Sequence, residues 1–238
     1  NGEFNLDRDL GLDIRSKDLF GLDKLRYYAG VYMGEGHSSY AEGDLGMMYL
    51  ARVEVLPFGL YKDYSESDFA RNTTPKVSIG AGVAYVDEGK KNRGILGSVP
   101  ADGGTTDTLN VTADIGFKYS GFSLESAFFW RDGTRNPGDL VDELGGRIPT
   151  ETARNGMGYY AQGGYLLPGK DVEISGRYGQ IIPADGDTSL SANNEAGLGL
   201  SNYIGRHSFK LQGDYFRLWS DSISEGENQF RFQLQMAY

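Results

Sequence analysis

Along most of this chain apolar and polar residues alternate one by one. The clearest run is the last: Phe230, Phe232, Leu234, Met236 and Tyr238 share one parity, while Arg231, Gln233, Gln235 and Ala237 take the other. Successive side chains of a β-strand point to opposite faces, so the pattern predicts a strand with one oily side and one wet side. Segment 109–119 repeats it, with Leu109, Val111, Ala113, Ile115 and Phe117 opposed to Asn110, Thr112, Asp114, Gly116 and Lys118. In 121–131, Phe122, Leu124, Phe128 and Trp130 oppose Ser123, Glu125 and Arg131. Read throughout, the alternation predicts about eleven strands, near 9–16, 24–34, 46–56, 76–86, 107–119, 121–132, 156–167, 170–181, 193–204, 206–219 and 228–238.

Most of these spans approach the ~9–11 residues that a tilted strand needs to cross a bilayer. Their connections alternate in length. Tight turns are expected at Ser120-Gly121, Pro168-Gly169-Lys170 and Gly205-Arg206, and long polar loops at 87–106, 133–155, 182–192 and 220–227. Short turns at one rim and long loops at the other are the habit of an outer-membrane barrel. The segment 57–75 breaks the rule, being long at the short-turn rim. Either it folds over that rim or the strand count slips there. Aromatic residues near predicted strand ends, Tyr27, Tyr32, Phe117, Tyr119, Trp130, Tyr165, Tyr203, Trp219 and Tyr238, fit girdles at headgroup level.

The fold class predicted is therefore all-β: a transmembrane antiparallel up-and-down β-barrel forming one domain over 1–238, in the bacterial outer membrane. Single-chain bacterial barrels use an even number of strands with both ends at the periplasmic rim. Eleven strands counted back from Tyr238 begin at the outer rim, so an odd number of N-terminal strands is expected before Asn1. A start at Asn1, with neither initiator Met nor signal peptide, reads as a mature form or a fragment.

Composition narrows the function. The net charge of -10 argues against a nucleic-acid binder, which needs a basic footprint. Cysteine is absent, which excludes disulfides and thiolate metal sites. No apolar run is long enough for a membrane helix. No phosphate loop, zinc spacing or nucleophile elbow appears, and Gly80-Ala81-Gly82 reads as small wall residues inside a strand. No cofactor and no metal are expected. Asp102-Gly103-Gly104 and Asp185-Gly186-Asp187 lack the spaced ligands of a calcium loop and read as turns. Asn72-Thr73-Thr74 and Asn110-Val111-Thr112 match the glycosylation pattern by chance.

If one parity faces lipid, the other faces a channel. The basic side chains on that parity are Arg15, Arg26, Arg52, Lys76, Lys118, Arg131, Arg177, Lys210 and Arg231. The acidic ones are Asp13, Glu54, Asp114, Glu125, Glu173, Glu195 and Asp214. Most inward charges in barrels simply pair and keep the wall wet. A basic track of Arg26, Arg52, Arg131 and Arg177 would instead give mild anion preference. Phe230, Phe232, Leu234, Met236 and Tyr238 are the membrane-facing and assembly residues.

Two stretches carry a family resemblance. Arg8-Asp9-Leu10-Gly11-Leu12, with Leu25-Arg26-Tyr27-Tyr28-Ala29-Gly30-Val31-Tyr32 and Gly34-Glu35-Gly36, resembles the phosphate-selective porin O and P family. So does Tyr49-Leu50-Ala51-Arg52-Val53-Glu54-Val55-Leu56-Pro57-Phe58-Gly59. The terminal Tyr238 resembles the signature read by the outer-membrane assembly machinery. The similarity is specific over about 1–87 and generic beyond. It implies a sixteen-stranded porin, a homotrimer set in lipid and lipopolysaccharide, with five strands and a constricting loop before Asn1. The passive diffusion of small hydrophilic solutes carries over better than phosphate specificity, whose arginine ladder and lysine cluster do not map onto this chain.

Two rivals remain. An outer-membrane enzyme would need a histidine near the outer rim. His37, beside Ser38, Ser39 and Glu35, is the only candidate there, since His207 falls at the opposite rim. A lone loop histidine is ordinarily just solvated, and no enzyme is expected. The stronger alternative is an adhesin or structural barrel whose loops, 133–155 above all, bind another protein.

Overall fold

The computed structural model describes residues 2–36, 46–61, 64–169, 171–204 and 208–236. They form β1 (Gly11–Ser16), β2 (Leu25–Tyr32), β3 (Met48–Val55), β4 (Lys76–Gly89), β5 (Thr105–Tyr119), β6 (Phe122–Asn136), β7 (Gly156–Leu166), β8 (Val172–Pro183), β9 (Asn193–Tyr203), β10 (Phe209–Trp219) and β11 (Glu227–Met236). These make one antiparallel up-and-down sheet in chain order. Among the described residues the helical pieces are two 3-10 turns, Leu19–Gly21 and Ile223–Glu225. No helix of the described residues is long and apolar enough to cross a membrane.

Each expected strand is found, and its ladder joins residues of equal parity. Ile79 lies opposite Val55 and Ile115, while Phe128 lies opposite Ala113 and Tyr159. A slip of one residue would send every apolar side chain to the other face, so a one-sided pattern specifies the register. The described irregularity is a shift between Val86 and Gly89 on β4. Strands β4 and β6 outrun their expected ends at 86 and 132, and the β5–β6 ladder reaches Thr105 opposite Asn136. Backbone pairing continues past those ends because polar side chains find partners there, Arg135 donating to Thr106 Oγ1 at 2.7 Å and to Asp102 at 2.8 Å.

The Ser120-Gly121 turn is as expected. Both residues have positive φ, 51° and 88°, which gives the two-residue turn a twist matching that of its strands. The strand count does not slip at the long connection 56–75. Instead that segment turns inward, with Leu56, Ser67 and Asp68 fully buried.

The sheet is inside-out relative to a soluble domain. Every exposed large hydrophobic residue on a described strand lies on one face, from Leu12 and Ile14 on β1 to Phe230, Phe232, Leu234 and Met236 on β11. The buried polar strand residues, among them Glu54, Asn110, Lys118, Arg131 and Glu173, lie on the other. Asn194 is the exception, donating to the carbonyls of Trp219 and Ser220 at the long-loop rim. One cavity of about 610 Å³ is lined by side chains from Arg52 on β3 to Arg231 on β11, so the sheet curls around its polar face. Strands β1 and β11 share no ladder among the described residues, and each leaves one edge unpaired.

Candidate functional site

All sixteen charged side chains expected on the channel wall lie on the polar face, and most of their charges are matched. Arg52 reaches from β3 across β4 to Asp114 on β5, with N–O distances of 2.5 and 2.9 Å. The pair crosses above Gly80, where a Cβ would meet Arg52 Nη2 at 2.2 Å. The small wall residue expected there makes room for the ion pair. Arg177 meets Glu195 at 2.7 Å, Arg231 meets Asp214 at 2.6 Å, and Arg15 meets Asp13 at 2.6 Å. Arg26 meets Glu54 at 3.0 Å, and Glu54 also accepts from Ser78 Oγ at 2.5 Å. Glu125 accepts from the Tyr160 hydroxyl at 2.6 Å. The Lys210 ammonium lies 5.8 Å from the Tyr203 ring centroid. Pairing thus interrupts the basic track of Arg26, Arg52, Arg131 and Arg177, each of which is answered by a carboxylate.

Segment 56–75, of which 62 and 63 fall outside the described residues, forms a strap across this wall. Lys76 and Lys118 are directly opposite in the β4–β5 ladder, a repulsive placement. The strap relieves it, because Lys76 donates to the Phe58 carbonyl at 3.4 Å and Lys118 to the Ser67 carbonyl at 3.0 Å. Arg26 donates to the Tyr61 carbonyl at 2.9 Å and to the Tyr64 hydroxyl, which in turn donates to Glu54. Burial and the Glu54 hydrogen bond push the Tyr64 phenol up to about 12, so it remains a donor. Ser67 joins Glu173 at 2.5 Å and Tyr203 at 2.7 Å. The buried Asp68 carboxylate accepts from Gly121 N at 2.8 Å and Asn72 N at 3.0 Å, while Arg71 donates to the Leu166 carbonyl at 2.6 Å. Tyr61 packs over Gly116, where a Cβ would sit 3.1 Å from its hydroxyl. The strap therefore reaches from β2 to β9.

At the long-loop rim, residues 2–6 also lie against the polar face. Phe4 stacks on Phe129 at 6.0 Å and sits 5.1 Å from the Arg131 guanidinium. Three arginines converge on Glu3: Arg131 and Arg154 at 2.8 Å each, Arg93 at 3.8 Å. Burial raises the Glu3 carboxyl, but the hydrogen bonds and charges of Arg154 and Arg131 outweigh it and hold the group below its ordinary value. A carboxyl lowered in the folded state contributes its anchoring above the unfolded value and loses it as pH falls through the lowered one. Residues 2–6 are therefore expected to become protease-sensitive as pH drops below about 4, and Glu3→Gln to do the same at neutral pH. Equal resistance of wild type and variant at both pH values would refute the anchor.

On the apolar face, Phe230, Phe232, Leu234 and Met236 are 69%, 89%, 59% and 70% exposed. Tyr119, Phe122 and Tyr165 cluster at the short-turn rim, and Tyr159, Tyr178 and Trp219 form a chain with centroids 6.2 and 6.4 Å apart. Two aromatics expected in the girdles belong elsewhere. Tyr32 is 8% exposed in an inner cluster with Met48, Val86 and Ile95, and Tyr203 is 2% exposed beside Ser67 and Glu173. Parity places both on the polar face, where inward-folded segments cover them.

Sequence reasoning missed the side chains that approach the wall from connections: Glu3, Phe4, Tyr61, Tyr64, Glu66 and Asp68. No periodicity marks them, and the excess length of 57–75 is the one available signal. Asp102 proves to be a tie between loops, accepting from Gly104 N at 3.1 Å, Gly138 N at 3.2 Å and Arg135 at 2.8 Å. Tyr238, His37, His207 and the Gly205-Arg206 turn lie outside the described residues. Searches against protein-family models, curated proteins and solved structures return no significant match. The resemblance to phosphate-selective porins rests on the residue stretches alone.

Proposed function

We propose that this sheet is the greater part of a bacterial outer-membrane barrel that works as a porin, a water-filled channel for passive diffusion of small hydrophilic solutes and ions. The observation that carries the reading is the division of the sheet into an exposed apolar face and an opposite face of charges that lines a cavity. In water the exposed face is costly, since covering one Val, Leu, Ile or Phe is worth about 1.5–3 kcal/mol. In a bilayer the same face is solvated, and a barrel satisfies the backbone. In this reading the free edges of β1 and β11 join further strands to complete an even-numbered barrel of sixteen, covered by lipid and lipopolysaccharide and assembled as a homotrimer. The C-terminal strand β11, with the terminal Tyr238, addresses the assembly machinery. No catalytic role is assigned.

The adhesin alternative has one observation in its favour. Loop 137–155 carries Leu140, Val141 and Leu144 at 56%, 54% and 97% exposure, an apolar tip suited to a protein partner. Planar-bilayer recording separates the two. Discrete conductance steps from inserted protein are expected. Insertion without any step would leave the adhesin.

A further inference from the structure

The strap does more than close a rim, because it adds charge to the cavity it borders. The cavity is lined from the strap side by Tyr61, Tyr64, Ser65 and Glu66. Its lining holds four basic and six acidic side chains. Three arginines, Arg52, Arg177 and Arg231, are cancelled by Asp114, Glu195 and Asp214 at 2.5–2.7 Å. The fourth cation, Lys118, is engaged by the strap itself at the Ser67 carbonyl. Of the three carboxylates left, Glu173 and Glu125 take hydroxyl partners, and exposed Glu66 has no hydrogen bond or ion pair among the described residues. The balance is acidic along this cavity, even though the whole wall counts slightly basic. Arg15, Arg26, Lys76, Arg131 and Lys210 lie outside this cavity, and Glu66 enters it from a segment that strand alternation does not cover.

Resting on the porin reading, we propose that the strap 56–75 is the size and charge filter of the channel. Glu66, together with Glu125, makes the passage prefer cations: inorganic monovalent ions and solutes bearing an ammonium or guanidinium group. Confined water screens such groups poorly, so a few unbalanced charges decide which ions pass.

The test is the reversal potential of the full chain in planar bilayers under a potassium chloride gradient. Potassium is expected to be preferred over chloride. Glu66→Gln should lower the permeability ratio about ten-fold, because one unit charge at about 6 Å through water favours the cation about three-fold and disfavours the anion about three-fold. Glu66→Lys should bring it to or past unity. Because Glu66 is exposed and anchors nothing, these variants keep the strap in place. Compared with the equally uncharged Glu66→Gln, Glu66→Trp should lower single-channel conductance and Glu66→Ala should raise it, the readout of narrowing. Chloride preference in the wild type, or ratios and conductances unmoved by all four substitutions, overturns the filter while leaving a pore. The absence of any conducting step overturns the pore reading, and the filter with it.

Discussion

Arginine in place of Ala113 is expected to keep the protein out of a bilayer, while arginine in place of its neighbour Thr112 leaves insertion intact. Both residues lie in the middle of β5, and only parity distinguishes them. Ala113 sits on the exposed face between Ala81 and Phe128. On the porin reading a guanidinium there would meet hydrocarbon, at a cost of about 2–4 kcal/mol near the bilayer midplane. Thr112 borders the polar cavity, where the added charge stays wet. Flotation of refolded protein with liposomes measures the difference. Equal flotation of the two variants would remove the ground for a lipid-facing side.

The second large effect is expected from Arg131→Met. Arg131 is 2% exposed and donates to Glu3 Oε1 at 2.8 Å, the Glu3 carbonyl at 2.9 Å and the Arg154 carbonyl at 2.9 Å. Removing one partner of a buried ion pair costs about 3–5 kcal/mol, because the other charge is left uncompensated. Arg154 still holds Glu3, which places the loss at the lower end of that range. Residues 2–6 should leave the wall, and the urea midpoint should fall. Combined with Glu3→Gln, the loss should be less than additive, since both changes break the same contact. Strict additivity would mean that Arg131 acts through some other neighbour.

These two experiments probe different layers of information. Ala113 and Thr112 were sorted by alternation alone, because a strand throws adjacent side chains to opposite faces whatever surrounds it. All of the expected wall residues fell on one face for the same reason. The Arg131–Glu3 contact joins residues 128 positions apart through an irregular segment, and no local periodicity encodes such a meeting. Tyr32 and Tyr203 show the limit from the other side. As aromatics near strand ends they resembled girdle residues, but the covering of an inner wall by strap and loops is a tertiary matter.

From sequence alone came the eleven strands, their order of pairing, and which side chains share a face. Repeating local geometry converts a two-residue period directly into a two-sided sheet. Only the tertiary structure decided how the polar face is furnished: which charges cancel, where 56–75 goes, and how residues 2–6 are clamped. Those outcomes depend on which distant groups can satisfy one another's hydrogen bonds and charges, and that becomes defined only when the sheet curls and brings the groups within reach.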